Sequence, residues 1–146
     1  MAERYSEFFS GVGGGAAAPL AHTISVTRGP APDTLPSGAV LLRDIRFRSV
    51  CEHHLLPFLG VAHLAYAPGD RLIGLGTLAR VLDAVASRPQ LQERLGERVA
   101  ATIAEGLGAE GVLVVLDAQH QCVTTRGERQ TGSTTVTVAA TGSLAD

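Results

Sequence analysis

Lysine is absent from this sequence, and all 12 basic residues are arginine. An anionic ligand would therefore be held by planar guanidinium forks, which suit bidentate contacts to phosphate or carboxylate. Cysteine is nearly as scarce. Two thiols in 146 residues cannot build a disulfide framework, which points to a reducing, cytoplasmic setting. A marked excess of either charge is missing too: the net charge is −2 and the charges are scattered, so no basic stripe exists to track a nucleic-acid backbone, and nucleic acid is not expected as a partner. The longest apolar runs, such as Val112 to Leu116, fall far short of the roughly 20 residues that span a bilayer. No membrane segment is expected, and no charged stretch leading into an apolar one suggests a secretory leader. Internal repeats and a Gly-rich phosphate loop are also lacking. What is present is 45% hydrophobic residues, enough for one domain with a core and too little for two.

Along the chain, Tyr5, Phe8 and Phe9 at helical spacing predict a short helix over residues 3 to 10, broken by Gly11 and by Gly13 to Gly15. The segment from Ala16 to Gly38 is rich in Gly, Pro, Ala, Ser and Thr and reads as a connector, with an extended stretch at Thr23 to Thr27. Residues 1 to 38 are thus assigned to a helix and flexible connector, and residues 39 to 146 to the folded domain. Val40 to Val50 alternates as a half-buried strand does, with Ile45 and Phe47 on one face and Asp44, Arg46 and Arg48 on the other. Phe58 to Tyr66 predicts a second strand, joined to the first by a short turn. Leu78, Val81, Leu82 and Val85 mark one amphipathic helix, and Leu91, Leu95, Val99, Ile103 and Leu107 a second, with Ser87 stopping the first and Pro89 starting the next. Strands at Val112 to Leu116 and Thr134 to Ala140 complete the order β-β-α-α-β-β. The expected fold class is α+β: a four-stranded antiparallel sheet with two helices on one face.

The chemistry sits in two short runs, Cys51-Glu52-His53-His54 and His120-Gln121-Cys122. A thiolate and an imidazole three residues apart, Cys51 and His54, can reach one ion from a single turn, and zinc accepts that mixed donor set. His120 and Cys122, two apart on what reads as a strand end, should project from one face while Gln121 points away. Cys122 completes three ligands and leaves a fourth position for water, the arrangement of catalytic zinc sites. His53 and His120 are then placed to move protons beside that water. A thiol catalyst with a histidine base is the competing reading of the same residues. His63 reads as structural, and His22 carries no signal.

The run Cys51 to Phe58, with His63, Tyr66 and Arg80, then Arg88 to Leu95, His120, Cys122, Arg126-Gly127 and Thr135 to Thr137, closely resembles the GTP cyclohydrolase I family, in collinear order from Val40 to Gly142. The resemblance implies the tunnelling fold, with subunits in rings that stack as a homodecamer and active sites between subunits. It implies Zn2+ held by Cys51, His54 and Cys122, with His53 and His120 as the proton-transfer pair. Glu93, with Gln92 beside it, would read the guanine edge, and Arg80 and Arg126 would hold the phosphates. Read from the residues alone, Glu93 is an ordinary exposed helix residue, Arg80 a helix-end residue and Arg126 a turn residue. The implied reaction is attack of water on C8 of GTP, ring opening, loss of that carbon as formate and closure to 7,8-dihydroneopterin triphosphate. This step opens folate, other pteridine and deazapurine routes alike. Where the family reads Gly-Leu-Ser-Lys-Leu-Ala-Arg, this chain has Gly74-Leu75-Gly76-Thr77-Leu78-Ala79-Arg80. Two alternatives stand beside this reading. One is a paralogue that takes a less phosphorylated guanine nucleotide or stops at the formamidopyrimidine; the other is a scaffold that binds a purine or pterin without turning it over.

Overall fold

Alternating burial along residues 45 to 49 sets the orientation of everything that follows: Phe47 and Ser49 are buried while Arg46 and Arg48 are exposed, the period-two pattern of a strand with one covered face. The strand ends with Val50 and Cys51 both buried. The computed structural model describes residues 38 to 145, the short strand Thr23–Ser25, and Ser6 and Phe9. Both of the latter are helical, and the rest of the helix expected over residues 3 to 10, most of the connector and His22 lie outside the described residues. The elements in chain order are β1 (Thr23–Ser25), β2 (Val40–Cys51), β3 (Pro57–Ala67), β4 (Arg71–Ile73), α1 (Leu75–Ala86), β5 (Pro89–Gln90), α2 (Gln92–Leu107), β6 (Gly111–His120), α3 (Gln121–Thr124) and β7 (Thr135–Gly142).

β2, β3, β6 and β7 form consecutive antiparallel pairs, and β5 adds a two-residue parallel edge beside β2. The four-stranded antiparallel sheet with helices on one face is therefore as expected, with smaller pieces added. One of these is the antiparallel pair of β1 with β4. A register shift between Leu42 and Ile45 marks a bulge in β2. Asp44 sits there at φ 60 and donates its backbone N–H to His63 Nδ1 at 3.3 Å, so His63 has the structural role expected of it.

Burial of Leu78, Val81, Leu82 and Val85 on α1, and of Leu95, Val99, Ile103 and Leu107 on α2, follows the predicted helical stripes. These side chains meet Phe58, Ala62, Leu64, Val112, Val114 and Leu116 of the sheet in one core. α2 ends where Gly108 adopts φ 62, the left-handed cap that glycine takes without strain. The joint between the helices differs from expectation. Pro89 does not start α2; Pro89 and Gln90 pair with Val50 and Cys51 instead, and the fully buried Gln90 carboxamide donates to Val85 O at 2.7 Å. β6 is also longer than its apolar run, because β3 pairs with it from Ala67↔Gly111 to Phe58↔His120. The two strands approach so closely that a Cβ on Gly60 would overlap Asp117 O, which excludes a side chain there. No helix among the described residues is long and apolar enough to cross a membrane.

Candidate metal centre and catalytic pocket

Three pieces of chain converge at one end of the sheet: the β2–β3 turn, the end of β6 with α3, and the first turn of α2. The β2–β3 turn curls tightly because Cys51 N–H donates to Leu56 O at 3.0 Å and Leu55 N–H to Cys51 O at 2.8 Å. Leu55 pays for this curl with φ 53, a left-handed conformation that costs a branched residue about 1 to 2 kcal/mol. The result brings His54 Nδ1 to 4.0 Å from Cys51 Sγ, and the His53 and His54 rings stand nearly perpendicular, 6.1 Å apart. The joint before α2 braces the turn from outside. Gln90 O accepts from Glu52 N–H at 3.3 Å, and Arg94 Nη1 donates to both Glu52 carboxylate oxygens at 3.2 and 3.0 Å.

His120 closes β6, but Cys122 is not on that strand. It lies in the single helical turn α3, whose Gln121 O accepts the N–H and the hydroxyl of Thr125. The two-apart strand geometry expected for His120 and Cys122 is thus replaced by a strand-to-helix corner, which still delivers Cys122 to Cys51 and His54. The ligand atoms of Cys51, His54 and Cys122 all lie within 4.8 Å of one another, so these three can hold a metal ion. They line a cavity of about 370 Å³ together with His53, Gln92, Glu93 and His120, a size that accepts a nucleobase. Burial raises the Cys122 thiol above its ordinary range, and the Cys51 thiol adds to this while the Arg126 guanidinium opposes it. A cation between the sulfurs would reverse that preference, because the thiolate is the ligand. Burial lowers the pKa of His120, against an upward pull from the Glu93 carboxylate.

Arg80 and Arg126 are not among the residues that line this cavity. Arg80 Nη2 donates to Thr77 Oγ1 at 2.7 Å on its own helix, and Arg126 lies exposed beside Gly127 at φ 57. Gln92 is turned inward rather than toward the cavity opening: its carboxamide bonds to Leu116 O, Thr135 O and His120. Two contacts were not legible in the residue pattern. Phe58 stacks on His120 at 4.6 Å and 3°, a consequence of strand register, and the Glu52 to Arg94 ion pair joins positions 42 apart in sequence.

The GTP cyclohydrolase I family model matches residues 1–146. A relative from Leifsonia xyli subsp. xyli, a GTP cyclohydrolase 1, is 55% identical over 146 residues, covering 100% of this chain and 73% of that protein. The chain belongs to the GTP cyclohydrolase I family. A second member, the GTP cyclohydrolase 1 of Clostridium perfringens, is 44% identical over 142 residues, covering 97% of this chain and 72% of that protein. Among solved structures, the apo form of an archaeosine synthase QueF-Like protein superposes with a TM-score of 0.58 at 18% identity, over 75% of this chain and 98% of that one. That likeness is one of fold alone, and the shared fold is the tunnelling fold.

Proposed function

We infer that this chain is a zinc-dependent GTP cyclohydrolase I, and the observation that carries the inference is the convergence of Cys51, His54 and Cys122 in one cavity with His53, Glu93 and His120. The donor set fits the ion. In a tetrahedral site with Zn–S near 2.3 Å and Zn–N near 2.1 Å, ligand atoms stand about 3.5 to 3.8 Å apart. The 4.0 Å from Cys51 Sγ to His54 Nδ1 and the 4.8 Å limit on the trio close to that range with sub-ångström side-chain movements. Bound there, zinc supplies a Lewis acid that makes water nucleophilic near neutral pH.

C8 of guanine is bonded to N7 and N9, so two hydrolytic steps, each breaking one of these bonds, release that carbon as formate. Each step needs a proton delivered to the departing nitrogen and one removed from water, the work assigned to His53 and His120. Burial lowers the pKa of His120, which favours the neutral form, the one that can accept a proton. Glu93, in the first turn of α2, carries a carboxylate that accepts both N1–H and the exocyclic amine of guanine, a donor pair that adenine lacks. Arg80 and Arg126 are assigned to the phosphates. Neither lines the cavity of its own chain, which suits a site completed at a boundary between copies. Among the described residues β7 is an edge strand of its sheet, and it exposes Val136 and Val138, which suits pairing with a second copy, in keeping with a ring-based decamer. Two thiol ligands suit a reducing cytoplasm.

One observation favours a second reading of the substrate. Gly76 faces open space and Thr77 is buried and uncharged, so this end of α1 offers fewer groups to a triphosphate than the family pattern does. A less phosphorylated guanine nucleotide would need fewer. Anaerobic incubation of zinc-loaded protein with GTP, GDP, GMP and guanosine tests both readings, with formate and the fluorescence of oxidised pterin as readouts. GTP should give both signals. Preference for a shorter substrate, or formate without pterin, would replace the first reading by the second, and no signal from any of the four would overturn the enzymatic assignment.

A further inference from the structure

Gln92 is 2% exposed, and its carboxamide is oriented by chemistry alone. Nε2 donates to Thr135 O at 2.8 Å and Leu116 O at 3.1 Å, with Thr137 Oγ1 at 3.2 Å. Carbonyl oxygens only accept, so the end of the side chain that faces them is the amino end, and the oxygen is turned toward His120. There Oε1 stands 2.6 Å from His120 Nε2. A carboxamide oxygen has no hydrogen to give, so the hydrogen in this contact belongs to the imidazole. A ring turned over would set Cε1 against the oxygen at a distance too short for a C–H contact.

Phe58 restrains the same ring from its face, stacked at 4.6 Å and 3°. That contact follows from the β3–β6 register, in which Phe58 is the direct partner of His120. The plane of the imidazole and one of its nitrogens are therefore both spoken for. Nδ1 has no hydrogen-bond partner among the described residues.

We propose that Gln92 is a positioning residue that holds His120 as the Nε2–H tautomer, leaving Nδ1 as the nitrogen through which this imidazole meets a substrate. The neutral ring then presents a lone pair, so His120 enters the reaction as a proton acceptor, with Gln92 bonded to the opposite nitrogen throughout. The consequence for turnover rests on the enzymatic reading above, whereas the tautomer rests on geometry. The proposal also gives Gln92 a different task from reading guanine: both hydrogens of its amino group are already donated inside the fold.

Long-range 1H–15N correlation spectra of zinc-loaded protein labelled at histidine nitrogens test the tautomer directly, with the His120 signals assigned by their loss in His120→Asn. The expected result is a protonated-type shift at Nε2 and a lone-pair-type shift at Nδ1. A proton on Nδ1, or averaged shifts for the two nitrogens, would overturn the proposal. Gln92→Met, similar in length but without the acceptor, should average the His120 shifts and lower kcat about ten- to a hundred-fold with KM for GTP unchanged. A raised KM with kcat retained would instead make Gln92 a base-reading residue and sink the proposal. Should Gln92→Met fail to fold, the wild-type spectrum decides alone. Absence of formate from wild-type protein would defeat the enzymatic reading while leaving the spectrum to judge the tautomer.

Discussion

Replacing Glu93 by glutamine exchanges one acceptor for a donor at a nearly constant shape. In the assigned pose the carboxylate receives N1–H on one oxygen and the exocyclic amine on the other, both charge-assisted. Glu93→Gln keeps one acceptor and turns an amino group toward a substrate amine, so one bond to a charged group is lost, worth about 1.5 to 3 kcal/mol, and a donor is left unpaired at about 1 to 3 kcal/mol more. Glu93 is exposed in the isolated chain, so water relieves part of the second cost and the lower half of the sum applies. That is about 3 to 4 kcal/mol, or roughly a 100- to 1000-fold loss in kcat/KM for GTP. Zinc content should stay at one per chain, because Glu93 is not among the three residues that can hold a metal ion. Inosine triphosphate sharpens the assay, since it lacks the exocyclic amine and meets no opposed donor in the variant. Its kcat/KM should fall much less than that of GTP. Equal losses on the two nucleotides, or no loss on GTP, would refute the assignment of Glu93 to the guanine edge.

Cys122→Ala should lose both stoichiometric zinc and turnover, and full activity in that variant would remove Cys122 from the ligand set. Zinc titration of the metal-free protein in weak buffer should release about two protons per ion, one from each thiol, detectable with a pH indicator dye; no release would mean that the thiols are not ligands. The lowered pKa of His120 sets a sign for the metal-free protein. Above the ordinary histidine value of about 6.5 both folded and unfolded chains hold His120 neutral, and as pH falls below it the unfolded chain takes up a proton that the folded one resists. Stability should therefore fall on acidification, and urea midpoints at about pH 7.5 and 5.5 should differ less in His120→Gln than in wild type. Gly60→Ala should cost about 1 to 3 kcal/mol by forcing β3 and β6 apart at Asp117 O, and an unchanged melting temperature would show that the strands can part without loss.

The long elements were readable because burial along them is periodic. Phe47 and Ser49 alternate with Arg46 and Arg48, and the α1 and α2 stripes recur at helical spacing. The short elements escaped because partners distant in sequence make them. Pro89 and Gln90 are a strand only because Val50 and Cys51 lie beside them, and α3 is a single turn that no periodicity can announce. At the site, ligand spacing exposed Cys51, His54 and Cys122, which the fold brings together. The task of Gln92 was hidden by its neighbour: consecutive helical residues diverge by about 100°, so Gln92 and Glu93 cannot share one direction. One is buried against Leu116 O and Thr135 O while the other is exposed.

The joint from Pro89 into the first turn of α2 resembles an ordinary interhelical connector in composition, yet it touches both halves of the candidate metal centre. Gln90 and Arg94 hold Glu52 in one half, and Gln92 holds His120 in the other. A single inserted residue there would turn α2 by about 100° and advance it by about 1.5 Å relative to both halves at once. Residues 127 to 134, by contrast, are exposed throughout. Insertion scanning should therefore find two loops of similar appearance with opposite tolerance, the exposed one elastic in length and the one between the helices measured to the residue.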